Sequence, residues 1–301
     1  MKTRIITIVL LCAVMLVAGV LWTSCALSKP GETVPQAVIA QTRLPHPDHV
    51  VVVIEENHSY SDIIGSSEAP YINSLARSGA VFTNFHAETH PSQPNYLALY
   101  SGSTQDVSSD ACPNTFSGPN LGRALLSAHL SFAGYSEDMP SVGYTGCAAP
   151  SYNNALYARK HNPWTNFTNV PTGSNLPYTR FPTDYSKLPT VSFVIPNQIH
   201  DMHSASVADG DIWLKNNLDP YARWANTHNS LLIVTWDEDD GSDVNQIPTI
   251  VSGSMVKTGR YSENVNHYHL LRTLEDMYKL PRHQPERHRS LHHRHLALVS
   301  C

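Results

Sequence analysis

The octapeptide Glu88-Thr-His-Pro-Ser-Gln-Pro-Asn95 puts a hydroxyl, that of Ser92, where a helix carrying Tyr96, Leu97 and Leu99 is predicted to begin. A helix start offers free N–H groups and the positive end of the helix dipole, so it favours anions such as phosphate. Ser92 can therefore cap the helix or attack a phosphorus atom bound in front of it. Four other features bear on the choice. Glu56 and Asn57 offer a carboxylate and an amide oxygen, both suited to a hard cation, or else form a solvated turn. Asp237-Glu238-Asp239-Asp240 sets four acids in a row before Gly241, which is costly through self-repulsion unless a cation or several donors offset it, as solvent does in an exposed acidic loop. Asp201 and His203, with His200 close by, offer mixed oxygen and nitrogen ligands. His267 precedes an amphipathic segment with Leu270, Leu271 and Leu274, where it is either a reactive group or an ordinary first-turn residue.

The elements around these groups follow from apolar periodicity. Val50–Ile54 is a continuous apolar run, as in strands buried between helix layers; Val191–Ile195 and Leu231–Thr235 are less pure runs of the same kind, and Val81–Phe85 and Ile247–Val251 are further candidates. Tyr71–Ser78, Asn95–Tyr100, Leu121–Ala128, Asp211–Asn226 and Tyr268–Tyr278 have helical spacing. Their alternation predicts an α/β sandwich with a mostly parallel central sheet and helices on both faces. In such sheets, sites form outside the carboxyl ends of the strands. Glu56-Asn57, Asp201 to His203 and Asp237-Glu238 all follow strands closely, so they are expected to converge.

The flanks have other tasks. A charged start with Lys2 and Arg4, an apolar run from Ile5 to Trp22 and small residues after it predict a signal peptide over residues 1–28. An uncleaved anchor is the alternative, and Cys25 raises a lipoprotein option that Trp22 fits poorly. Residues 29–48 read as a linker, 49–281 as one domain, and 282–301 as a basic His-rich tail. That tail can bind metal, stay unstructured, or mark a shifted reading frame. Of five cysteines, only Cys112 and Cys147 lie in the body. In an exported chain this pair is most simply a disulfide, with two buried thiols as the alternative. Residues 30–281 carry 13 Lys plus Arg against 24 Asp plus Glu, a net charge of −11 that argues against non-specific nucleic-acid binding.

The motifs HVVVVIEENHS (49–59), ETHPSQPNYLAL (88–99), YARKHNPW (157–164), TVSFVIPN with DMH (190–203), LLIVTWDEDDG (231–241) and NHYHLLRTLEDMY (266–278) occur in one order. In that order the chain resembles the phosphoesterase family that joins bacterial acid phosphatases and phospholipases C within the alkaline phosphatase superfamily. Within it, the resemblance is strongest to secreted acid phosphatases active on phosphatidylinositol 3-phosphate. It implies an alkaline-phosphatase-like fold and a metal-dependent phosphomonoesterase. It also implies Ser92 as nucleophile, Asn95 as donor to a phosphate oxygen, and Glu56, Asn57, Asp237 and Glu238 as metal ligands together with Ser92. His203 and His267, with Asp201, match positions that bind a second metal or contact phosphate. The cation is magnesium, calcium, manganese, zinc or iron, and the partner is a phosphomonoester, with an inositol-lipid head group among the options. A secreted or envelope location without a stable membrane span in the mature form is expected. A phosphodiesterase of the phospholipase C kind and an exported phosphate-binding protein without catalysis are the competing readings.

Overall fold

The computed structural model describes residues 44–283 apart from Asp243. The expected signal peptide, most of the expected linker and all but two residues of the expected tail lie outside the described residues. Within them the chain runs β1 (His49–Glu55), α1 (Tyr60–Ile63), α2 (Pro70–Ser78), β2 (Ala80–His86), α3 (Ser92–Ser101), α4 (Leu121–Ser127) and β3 (Phe132–Ser136). It continues through β4 (Ala148–Ala149), β5 (Tyr157–Ala158), β6 (Asn175–Pro177), β7 (Val191–Ile195), α5 (Val207–Ala225) and β8 (Ser230–Trp236). Last come β9 (Gln246–Ser252), β10 (Gly259–Tyr261), β11 (Val265–Asn266) and α6 (His267–Met277).

Nine strands form one sheet in the order β10-β2-β9-β8-β1-β7-β3-β6, with β11 also paired to β2. Every neighbouring pair is parallel except the two that β9 makes with β2 and β8. Val50–Ile54 on the central strand β1 are at most 1% exposed, which is why that segment carries no polar alternation. Successive side chains on a strand face opposite sides. Glu56, just past β1, reaches Ser92 and Tyr96 of α3, whereas Glu55 lies toward Asp211 of α5. The sheet is thus covered on both faces, with α3 packed on α6 on one side and α2 on α5 on the other.

The expected strands and helices appear within a few residues of their sequence limits. Strand β3 went unread because Phe132-Ala-Gly-Tyr-Ser136 carries Gly134 at its centre, and glycine weakens a strand signal. The glycine is required by packing: a Cβ there would lie 2.1 Å from the Trp164 ring. Helix α5 begins with a capping box in which Ser206 and Asp209 bond reciprocally. Cys112 and Cys147 are joined as a disulfide. It ties the loop after α3 to the long excursion between β3 and β7, which is built of short strands and 3₁₀ turns. No helix among the described residues is long and apolar enough to cross a membrane.

Candidate active site

The register of β1 on β8 pairs Glu55 with Trp236, and the Asp237 N–H donates to the Glu55 carbonyl at 3.0 Å. Residues from two distant segments, Glu56-Asn57 and Asp237-Glu238, therefore emerge side by side. Asn57 takes a left-handed φ of 54°, a conformation Asn tolerates, and its N–H donates to Asp237 Oδ1 at 3.4 Å. From β7 comes the third segment: the Asp201 carbonyl accepts the Glu56 N–H at 2.8 Å.

Ser92 is the first residue of α3, and Pro91 holds the cap position. The Ser92 hydroxyl makes no capping bond. It points instead at two buried carboxylates, with Oγ 3.1 Å from Glu56 Oε2 and 3.0 Å from Glu238 Oε1. Tyr96, one turn on, donates to Glu56 Oε1 at 2.5 Å. His161 Nε2 lies 3.1 Å from the same oxygen and its Nδ1 lies 3.7 Å from Asp201 Oδ2, while its ring stacks on Tyr96. His90 Nδ1 meets the other oxygen of Glu238 at 2.5 Å.

The four acids of the loop after β8 divide by what they touch. Asp237 and Glu238 are buried beside Ser92 and Glu56. Asp239 accepts from the N–H groups of Gly241 and Ser242 at 2.9 Å each and from the Ser242 hydroxyl, so it builds the turn. Asp240 is exposed and accepts from Ser59 Oγ at 2.7 Å.

Three sequence expectations meet a different arrangement. Asn95, expected to donate to phosphate, has its Nδ2 on the carbonyls of Thr89 and Pro91 and its Oδ1 on the N–H groups of Glu88 and Thr89. With donors and acceptor engaged, it shapes the loop that presents Ser92. The N–H array expected at the helix start is reduced too. Gln93 N donates to Asp110 Oδ1 at 2.9 Å and Pro94 has no N–H, so of the first three helix residues only Ser92 can offer one. His267 is fully buried against Phe85, with Nε2 2.7 Å from the Asp237 carbonyl oxygen. Burial lowers its pKa to about 4, so the neutral ring donates to that carbonyl and steadies Asp237 from behind. His203 lies exposed beside the site, its N–H donated to Asp201 Oδ1 at 2.9 Å.

Electrostatics single the pocket out. Burial, then Glu56 and Glu238, hold Asp237 well above the usual carboxylate range; Asp201 is raised likewise by burial and then Glu56. Glu56 is raised to about 7, mainly by burial, with Lys160 and Tyr96 opposing. Burial and then the Lys160 charge keep His161 neutral. Glu56, His161 and Asp201 each bring a donor atom within 4.8 Å of the others. Asn57 Oδ1, Asp201 Oδ2 and Asp237 Oδ2 are buried with no hydrogen-bond partner among the described residues. Buried oxygens that lack donors in a pocket of mutually repelling acids fit a hard divalent cation. Reading the sequence gave His161, Lys160, His90 and Tyr96 no role, although Lys160 and His161 sit in YARKHNPW; what they do depends on contacts between segments far apart in the chain.

One further acid has a consequence for stability. Glu88, over the start of α6, is raised to about 7 by burial, with the N–H groups of Tyr268 and His267 opposing. The folded state holds this proton more tightly than the unfolded chain. Its stabilisation is thus complete below the ordinary value of 4.5 and is lost as pH rises through 7. Glu88→Gln keeps the neutral form at every pH. It is expected to remove up to about 3 kcal/mol of the loss between about pH 5 and about pH 8, read from denaturant midpoints in the presence of chelator. Parallel pH profiles for variant and wild type would show that Glu88 does not titrate in this range.

Comparison with known proteins agrees with this geometry. A model of the Phosphoesterase family matches residues 66–281. The chain is 53% identical over 269 residues to the phosphatidylinositol-3-phosphatase of Mycobacterium tuberculosis, covering 88% of each protein. It is 33% identical over 180 residues to the phosphate-repressible acid phosphatase of Penicillium chrysogenum, covering 56% of this chain and 43% of that enzyme. Its fold matches the crystal structure of a protein in the alkaline phosphatase superfamily from Vibrio parahaemolyticus, with a TM-score of 0.57 at 14% identity, over 83% of this chain and 72% of that one. With a hydroxyl between two buried carboxylates at the carboxyl edge of a mostly parallel sheet, and a family match over most of its folded body, the chain belongs to the Phosphoesterase family and is a hydrolase of phosphoric esters.

Proposed function

We propose that the chain is an exported, metal-dependent phosphomonoesterase that works through a phosphoserine at Ser92 and accepts phosphoinositide head groups such as that of phosphatidylinositol 3-phosphate. The observation that carries this reading is the Ser92 hydroxyl, buried and hydrogen-bonded to Glu56 at 3.1 Å and Glu238 at 3.0 Å, in a site where Asn57 Oδ1, Asp201 Oδ2 and Asp237 Oδ2 have no donor among the described residues. Glu56, Asn57, Asp237 and Glu238, with Ser92, Asp201 and His161 in reach, would hold a divalent cation, which neutralises the carboxylates and favours the alkoxide form of Ser92. Carboxylate and amide oxygens suit magnesium, calcium or manganese, and the imidazole of His161 admits zinc or iron.

Ser92 Oγ attacks phosphorus in line while its proton passes to a hydrogen-bonded carboxylate, Glu56 or Glu238. The P–O bond to the alcohol breaks, and the departing oxygen takes a proton. His203, exposed at the mouth with its pKa lowered by burial and the Lys160 charge, exchanges that proton with solvent. Water then attacks the phosphoserine and passes a proton to solvent by way of His203; the P–Oγ bond breaks, Ser92 Oγ takes back the proton held by Glu56 or Glu238, and orthophosphate is released. Asn95 keeps the 88–91 loop closed, and His267 holds the Asp237 backbone so that the acids stay where Ser92 needs them.

The choice of a phosphoinositide is supported by the Mycobacterium tuberculosis relative, at 53% identity over 88% of each chain. Orthophosphate release from phosphatidylinositol 3-phosphate and p-nitrophenyl phosphate is expected to exceed turnover of bis(p-nitrophenyl) phosphate by at least about a hundredfold in kcat/KM. Equal or faster diester turnover would make the enzyme a phosphodiesterase of the phospholipase C kind.

A further inference from the structure

On the basis of the phosphomonoesterase reading, we propose that Lys160 is a specificity-determining residue, its ammonium reading the second negative charge that separates a phosphomonoester from a phosphodiester, and that Asp110 is the positioning residue that holds it beside Ser92. The carboxylate of Asp110 makes two bonds in opposite directions. Oδ1 accepts the N–H of Gln93, the residue after the nucleophile, at 2.9 Å, and Oδ2 accepts from Lys160 Nζ at 2.7 Å. The ammonium is therefore linked to the backbone that carries Ser92 through one carboxylate and its two hydrogen bonds.

Its charge is felt across the pocket. Lys160 acts on Glu56, Asp201, His161 and His203, and it interacts in turn with Glu56, Asp110 and Asp237. A lysine is a compact charge on a flexible stem, so it must be fixed to discriminate between ligands. Three tethers fix it here. The Cys112–Cys147 disulfide begins two residues after Asp110. The N–H of Arg159, next to Lys160, donates to the Cys147 carbonyl at 3.0 Å. The buried Arg159 guanidinium spans the carbonyls of Asn114, Thr145 and Thr165, so both sides of the disulfide are bound to the turn that carries Lys160.

A monoester presents up to two negative charges on its non-bridging oxygens and a diester one. A cation added to a site already able to bind a diester favours the monoester by the value of one charge-assisted bond. The test compares wild type, Lys160→Met, Lys160→Arg and Asp110→Asn on p-nitrophenyl phosphate and bis(p-nitrophenyl) phosphate at saturating cation, with melting temperature as the fold control. Lys160→Met is expected to lower the monoester-to-diester ratio of kcat/KM on the order of tenfold to a hundredfold. Orthophosphate should weaken as a competitive inhibitor by a similar factor, and Lys160→Arg should recover part of both. Asp110→Asn, which loses the ion pair and keeps the bond to Gln93, should shift the ratio the same way by less, mainly through the monoester KM. A loss equal for both substrates, or an unchanged ratio in a wild type that needs Ser92 for monoester turnover, overturns the role of Lys160 alone. A wild type without monoester turnover, or one indifferent to Ser92→Ala, removes the phosphomonoesterase reading and this one with it.

Discussion

Ser92→Ala is expected to reduce phosphomonoester turnover by at least about a thousandfold, because it removes the only protein atom the proposed mechanism bonds to phosphorus. Stability should change by no more than about 1 kcal/mol. The hydroxyl is not a helix cap, since Pro91 fills that position, and its two bonds go to Glu56 and Glu238, each of which keeps another partner. Tyr96 still donates to Glu56, and His90 still meets Glu238. The loss should therefore fall on kcat and not on folding. Denaturing the enzyme during turnover and weighing its peptides would check the intermediate directly: wild type should carry one phosphoryl group on the peptide that contains Ser92, and the variant none. Turnover that survives the substitution would hand the attack to water and end the phosphoserine proposal.

Removing the cation is expected to be as damaging as removing Ser92, and Asp237→Asn should show why. Asp237 is buried, its Oδ2 has no partner among the described residues, and burial followed by Glu56 and Glu238 raises it well above the carboxylate range. In the metal-free protein this carboxylate is a burden, and an amide relieves it. The amide retains an oxygen for the Asn57 N–H, and the Asp237 carbonyl that His267 holds is untouched. The metal-free variant should thus be at least as stable as metal-free wild type, while its affinity for divalent cation falls by about a hundredfold or more. Melting temperatures with and without cation measure both effects. Wild type should gain stability on saturation, as expected for a ligand that binds only the folded state, and the variant little. Activity and melting temperature that ignore chelator in wild type would remove the metal from the site.

Much of the sandwich could be read from the chain because its signals are short-range. Val50–Ile54 and Leu231–Thr235 must be buried on both faces wherever they lie, and helical spacing located the helix of Asp211–Asn226, although its true start at Val207, behind the Ser206 and Asp209 capping box, was missed by four residues. The rule that sites gather beyond the carboxyl ends of parallel strands then brought Glu56, Asp201 and Asp237 together without knowledge of a single distance. Local sequence could not say what each group would touch. Strand β3 was hidden by Gly134, whose reason is Trp164, thirty residues later. Asn95 and His267 have the residue types of catalytic groups, yet the fold turns the first onto its own loop and the second onto a backbone carbonyl. His161 carried no distinguishing mark among 17 histidines until Tyr96 stacked on it and Glu56 and Asp201 closed around it. Residue type and periodicity decided which chemistry was on offer and which strands would carry it, since these depend on near neighbours along the chain. Tertiary structure decided which groups Ser92 would meet and which buried oxygens, those of Asn57, Asp201 and Asp237, were left without partners among the described residues, because both depend on contacts between segments as far apart as Glu56 and Glu238.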